Sequence, residues 1–196
     1  MNPTSAAPAG KGSWDEVVKT TLACAHPSVR IGHGCSFFSP ESVFLGDRVR
    51  IDANCVVTGG LLCRGDNHIS SFVWMNGKDQ TVTLGRWAFI GAGSKLVTAS
   101  DDYTGAYGPI GPSGKNRMDR GDITIGNFAG IAIGTTLLPG VTLPDGTCIA
   151  GNGWVTADQS ERLQPFAVYA CCPGGFPRLL YRRDEEAIRR FAEEWK

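Results

Sequence analysis

The chain has 196 residues, 26 of them glycine, and its 19 Lys and Arg balance 19 Asp and Glu, so the formal net charge is zero. That length supports one domain with a core of its own, and a balanced, unclustered charge argues against nucleic acid as a partner. No stretch approaches the roughly 20 apolar residues of a membrane span, and the opening MNPTSAAPAGKG lacks the apolar centre of a secretory signal, so a cytoplasmic protein with no membrane span is expected.

Residues 1–25 read as a lead-in: a polar start, then WDEVVKTTLACA with the composition of a short helix. From Ile31 onward aliphatic residues return every six positions. Leu45, Ile51, Val57, Cys63, Ile69 and Met75 form one series, Leu84, Ile90 and Leu96 a second, and Ile125, Ile131, Leu137, Leu143, Ile149 and Val155 a third. A period of six is neither the 3.6 of a helix nor an alternation of two, and it marks a solenoid of short strands. Three hexapeptides make one triangular turn of about 18 residues whose strands stack in parallel on the next turn. The expected fold is an all-β solenoid, a left-handed parallel β-helix, over about 26–160.

Two interruptions break the clock. Three extra residues separate Met75 from Leu84, and SDDYTGAYGPIGPSGKNRMDRGD separates Leu96 from Ile125. The second is rich in Gly, Pro, Asp and Asn and must leave the prism as a long loop, of the kind retained for binding or catalysis. Residues 161–196 form a tail: a Pro/Gly-rich stretch ending in PRLLYRR, then a helix capped by Asp184, with Glu185–Arg189 and Glu186–Arg190 pairs and an Ile188, Phe191, Trp195 stripe. That helix is expected to pack on its own prism or on a neighbouring one.

Four residues after each anchor the side chain is small or modest, as at Cys35, Cys55, Ala88, Ser94, Ser100, Ala129, Thr135, Val141, Thr147 and Gly153, which suits the corners of a narrow prism. Glycines directly after anchors, such as Gly85 and Gly91, read as aids to tight turning. Of seven cysteines, Cys35, Cys55 and Cys148 read as inward or corner residues, and Cys171 and Cys172 as two free thiols in a reducing compartment.

The clock, the long loop and the PRLLYRR tail together resemble the hexapeptide-repeat acyltransferases, especially the galactoside, maltose and chloramphenicol-type acetyltransferases and the sugar acetyltransferases of surface-polysaccharide synthesis. The likeness covers roughly 31–183 and is strongest over VTLGRWAFIGAGSKLVTASDDYTG and ITIGNFAGIAIGTTLLPGVTLPDGTCIAGNGWVTAD. This resemblance implies a homotrimer that takes acetyl-CoA as co-substrate and a small-molecule sugar acceptor, with each active site between two prisms. It also implies Ala132, Ile133, Gly151 and Thr156 along the pantetheine arm, and Arg178 and Arg182 facing the nucleotide phosphates. Glycine and alanine at such places serve equally as turn formers.

One departure matters. The galactoside-type enzymes carry a general-base histidine in the long loop, where this chain has Asp101, and an ordinary aspartate near pKa 3.9 is a far weaker base than a histidine near 6.5. SDDYTG instead resembles a subgroup of polysaccharide-type acyltransferases that pairs such a string with a His-Ile dipeptide about 33 residues earlier, here His68-Ile69. The catalytic candidates are therefore His68 as base and Asp101 or Asp102, from a neighbouring subunit, as the carboxylate that orients it or holds the acceptor. His33 and Tyr103 are the acceptor-binding candidates, and Trp74, Trp87 and Tyr107 are aromatic surfaces for a sugar, a base or a subunit seam. A corner histidine that caps a turn is the competing reading of His68, and turn formation that of Asp101 and Asp102.

The leading functional reading is acetyl-CoA-dependent transfer of an acetyl group to a sugar hydroxyl or amino group, on a nucleotide sugar or a polysaccharide precursor. An uncharged amine needs no base, so positioning alone would serve that acceptor. The alternatives are a non-catalytic assembly solenoid and a γ-carbonic-anhydrase-like zinc hydratase. The latter resembles three-histidine coordination, whereas only His26, His33 and His68 are present, so no metal is expected.

Overall fold

Side chains six apart in sequence point the same way only if the backbone turns a corner after each short strand, and the structure closes that geometry into a triangular prism. The computed structural model describes residues 16–77, 79–101 and 118–195. Three parallel faces run its length, six strands in the first and third and seven parallel strands plus one antiparallel edge strand in the second. The fold is a β-solenoid of about six turns that matches a left-handed β-helix.

Register places like anchors on like anchors. On the first face Ala25, Leu45, Cys63, Leu84, Ile125 and Leu143 stack in order. On the second, Ile31, Ile51, Ile69, Ile90, Ile131 and Ile149 stack and end on Tyr169. Phe37, Val57, Met75, Leu96, Leu137 and Val155 complete the third. All but the first-turn Ala25 and Phe37 are buried, so the six-residue clock is the core itself.

The prism begins earlier and ends later than the aliphatic clock. Cys24–Ala25 is already a rung of the first face, invisible to the repeat because Ala25 is too small to register as an anchor. At the other end Ala167–Ala170 adds a rung to the second face, and Arg178–Arg182 folds back antiparallel on it. Among the described residues helix α1 spans Glu16–Thr21 and ends before the Ala25 read from composition.

The corners follow the small-residue rule with two corrections. Cys35, Cys55, Ala88, Ser94, Ala129, Thr135, Val141 and Thr147 are buried. The hydroxyls among them donate to carbonyls of a neighbouring turn, as from Ser94 to Ala132 at 3.2 Å and from Thr147 to Gln164 at 2.9 Å. Ser100 is no corner: it lies in Ala99–Asp101, which pairs antiparallel with Met118–Arg120 as the stem of the long excursion. Cys148 faces outward while Ile149 faces in, and its sulfur accepts a hydrogen bond from Arg183 at 3.2 Å.

Glycine after an anchor also has a different cause from the one expected. A Cβ on Gly85 would stand 2.5 Å from the amide nitrogen of Asn127, and one on Gly91 2.4 Å from that of Ile133. Close stacking of turns, not left-handed backbone, excludes a side chain there. The left-handed positions lie two residues further on, at Trp87 and Gly93.

Two helices lie in the C-terminal part of the chain, one before and one after the last rung. Helix α2 (Ala157–Ser160) has Thr156 as its N-cap, and α3 (Glu185–Glu194) is capped by Asp184, whose Oδ1 accepts from the Ala187 amide at 2.9 Å. Glu185–Arg189 and Glu186–Arg190 pair at 2.7 and 3.9 Å. Phe191 meets Trp87 edge-on at 5.2 Å and Trp195 at 5.8 Å, so α3 packs on its own prism. Beside it, at the corner between the first and second faces, Arg86 bonds both Asp47 and Asp66, and Arg48 bonds Asp66 at 2.5 Å. The Arg86 hydrogen bond holds the Asp47 carboxyl below the usual carboxylate range. Both Cys171 and Cys172 are free thiols, the first buried and raised to about 11 by burial. No helix among the described residues is long and apolar enough to cross a membrane.

The stack is continuous through Leu84, which is fully buried between Cys63 and Ile125. Leu84→Ala is expected to lower the free energy of unfolding by about 2–5 kcal/mol, read by denaturant titration, because adjoining rungs are too rigid to fill the void.

Candidate functional site

Register on the second face puts outward side chains in columns as strictly as inward ones. Arg50, His68 and Phe89 follow one another on successive turns, and Gly130 and Cys148 continue the column. Past each anchor the chain enters the corner between the second and third faces, where Asp52, Ser70, Gly91, Ala132 and Ala150 occupy equivalent places. At the junction of column and corner His68 meets Asp52, Nε2 to Oδ2 at 2.9 Å, while Nε of Arg50 holds the other carboxylate oxygen at 2.7 Å.

The electrostatics settle the roles in that triad. Burial alone would raise the Asp52 carboxyl, but the hydrogen bonds from His68 and Arg50 outweigh it and hold the group below its ordinary value. Asp52 is then an anion at neutral pH and only accepts, so Nε2 of His68 is the donor of this contact, and in a neutral ring Nδ1 is the acceptor. The His68 side chain is 45% exposed against 19% for Asp52, which leaves the ring open to a reactant with its anchor sheltered.

Below this pair, toward the C-terminal turns, a groove of about 330 Å³ is lined by Phe89, Ala132, Cys148, Ile149, Ala150, Val168, Leu180, Tyr181 and Arg183. Its walls come from the second face and from the antiparallel edge strand. Arg183 anchors that strand by donating to the carbonyls of Phe128 and Gly146 at 2.7 and 2.8 Å. Burial pushes the Cys148 thiol up, with Arg183 acting against it.

The expected site residues divide among these places. Ala132 lines the groove; Ile133, 63% exposed, and Gly151 sit at the same corner, where a Cβ on Gly151 would touch the Ile133 side chain at 3.3 Å. Arg178 and Arg182 lie exposed on the edge strand, Arg182 bonded to Gln164. Thr156 is not brought to this corner: it ends the third face, and its hydroxyl accepts from the Gln159 amide at 3.3 Å in a capping box. His33 is exposed at the corner one turn before Asp52, its carbonyl bonded to the Asn54 amide at 3.0 Å.

Asp101 stands half-exposed in the excursion stem beyond the third face, so within one chain it does not join His68. Asp102, Tyr103 and Tyr107 lie outside the described residues. Sequence reasoning missed Asp52, Phe89 and Arg183. A signal for Asp52 existed: one 18-residue turn before His68 is Arg50, so Arg50 and Asp52 must flank the ring. Among the described residues no group of three or more His, Cys, Asp or Glu is placed to hold a metal ion.

Comparisons with known proteins agree with the solenoid fold. No family model matches the chain. It is 29% identical over 136 residues to a dTDP-4-amino-4,6-dideoxy-D-glucose acyltransferase of Escherichia coli, covering 67% of this chain and 70% of the relative. It is 27% identical over 154 residues to a probable macrolide acetyltransferase of Lysinibacillus sphaericus, covering 78% and 71%. Among solved structures, AntD, an N-acyltransferase from Bacillus cereus in complex with dTDP and 3-hydroxybutyryl-CoA, superposes with a TM-score of 0.82 at 20% identity over 94% of this chain and 97% of that one. A hexapeptide-repeat acetyltransferase of Vibrio cholerae with acetyl coenzyme A gives 0.58 at 15% identity over 88% and 80%. A six-residue solenoid with a paired imidazole on its outer face is thus similar in sequence to acyltransferases and in fold to hexapeptide-repeat acetyltransferases.

Proposed function

We propose that this chain transfers an acyl group from an acyl-CoA to the amino group of a nucleotide-linked sugar, with His68 as the base. The observation that carries this reading is the 2.9 Å contact between His68 Nε2 and an ionised Asp52, which engages one ring nitrogen and leaves Nδ1 without a contact to that carboxylate. The E. coli relative acts on a dTDP-amino sugar, and AntD is an N-acyltransferase crystallised with dTDP and an acyl-CoA, which favours an amine over a hydroxyl.

The groove fits the donor on its own chemistry. A pantetheine arm is narrow and offers amides to backbone, and the small Ala132 and Ala150 leave the corner backbone within reach. Ala132, Ile133 and Gly151 would flank the arm, Arg178 and Arg182 would meet the nucleotide phosphates as bidentate donors, and Thr156 is the least placed of the expected contacts. In the reaction the amine nitrogen forms a bond to the thioester carbonyl carbon and the carbon–sulfur bond breaks. His68 Nδ1 takes the proton that nitrogen loses and returns it to the departing sulfur.

Asp52 orients the ring from the same chain. That frees Asp101 and Asp102, carried by the excursion of a neighbouring subunit in the proposed homotrimer, to hold the acceptor amine, beside His33 and Tyr103. A CoA thioester donor accords with a cytoplasmic setting.

Two variants test the assignment by release of free thiol from acetyl-CoA in the presence of dTDP-4-amino-4,6-dideoxyglucose. His68→Ala is expected to lower kcat at least about a hundredfold with acyl-CoA affinity near normal; undiminished turnover would return the chemistry to positioning alone. Asp52→Asn presents an amide that donates to Nε2 and forces the proton onto Nδ1, so kcat should fall more than about tenfold with little change in KM for the donor.

Acid provides a separate check. The Asp52 carboxyl is depressed in the folded state, so its contribution to stability is full above the ordinary carboxylate value of about 4 and is lost as the pH falls through its lowered value. Thermal melts of wild type and Asp52→Asn should therefore differ most near neutrality and converge in acid.

A further inference from the structure

A second concavity shares a wall with the donor groove. An open cleft of about 530 Å³ lies between the second face and α3, walled by Trp87, Phe89, Phe128, Ala187, Ile188 and Phe191. Phe89 faces both cleft and groove, and it stands in register with His68 on the adjoining turn. An apolar slot thus opens beside the base, at the end of the groove assigned to the donor.

We propose that this cleft is an acyl-chain pocket and that the preferred donor carries a chain longer than acetyl. The inference rests on the acyl-transfer reading above and deepens it by naming the class of donor. The chemistry of the walls decides the occupant. Two polar residues reach the rim, Arg183 and Asp184, and both are committed: the guanidinium of Arg183 bonds the Phe128 and Gly146 carbonyls and the Cys148 sulfur, and the Asp184 carboxylate caps α3. A nucleobase there would bury its polar edge against aromatic and aliphatic carbon with nothing to answer it, which is unfavourable. A saturated chain needs no partner and gains with each methylene buried.

The position of α3 has the same logic. Its apolar stripe is turned to the prism, yet Phe191 remains 43% exposed and the helix has no buried residue. A chain lying in the cleft would cover Phe89, Ile188 and Phe191 together and bring the thioester to its mouth, next to His68.

The test is calorimetric titration of the full chain with acetyl-CoA, butyryl-CoA and hexanoyl-CoA. Affinity is expected to rise at least about tenfold from acetyl to hexanoyl. Ala187→Phe, which fills the cleft from the α3 side, should reduce that ratio to within about twofold, with circular dichroism to verify the helix. The wild-type series decides without any variant: tight but equal binding of all three thioesters overturns the pocket and leaves the acyl-transfer reading standing. A chain-length gain that survives Ala187→Phe in a folded protein overturns the location. Failure of all three to bind overturns the pocket and the acyl-transfer reading together.

Discussion

Backbone hydrogen bonding between successive turns, in strict register, is the constraint on which the rest of this molecule depends. Each short strand is too small to be stable alone and finds its donors and acceptors only on the strand one turn before and after. Once Ile51 is set on Ile69 and Ile69 on Ile90, every neighbouring residue has its direction fixed. The inward ladder accepts aliphatic residues because the prism is narrow and dry. The corners accept Ser94, Thr135 and Thr147 because their hydroxyls find carbonyls of neighbouring turns.

The same register organises the outer surface. Parallel strands about 4.8 Å apart hold outward side chains in columns with almost no freedom to drift. Arg50, His68 and Phe89 stand in such a column, and Asp52 stands beside it at the corner. An imidazole, its anchoring carboxylate and the entrance to an apolar cleft are thus set by repeat geometry rather than by a purpose-built loop. That rigidity is what an imidazole needs if one nitrogen is to be fixed and the other left free. The stem of the long excursion, Ala99–Asp101 paired with Met118–Arg120, leaves this frame after Leu96.

The C-terminal segment does for the second face what a further turn does not. Arg178–Arg182 closes its edge, Arg183 ties that strand to three turns of the prism, and α3 stands off the surface against Trp87. Groove and cleft both owe a wall to this segment, although it contributes little to the core.

The six-residue clock determined the solenoid, its direction of stacking, the core residues and the place where the long loop departs, because burial in a triangular prism demands one aliphatic residue per strand and nothing else in the chain competes with that demand. The outward place of His68 and the corner place of Ala132 were likewise legible, through a register count. A register count sets Asp52 near His68, but tertiary structure decided that this carboxylate bonds the ring, since the two lie 16 residues apart and meet only when turns stack. It also decided that Cys148 faces outward, that Thr156 spends its hydroxyl on a cap, and that α3 leaves a cleft. Those outcomes depend on side chains meeting across turns and across elements, and a linear spacing carries the period of such contacts without their partners.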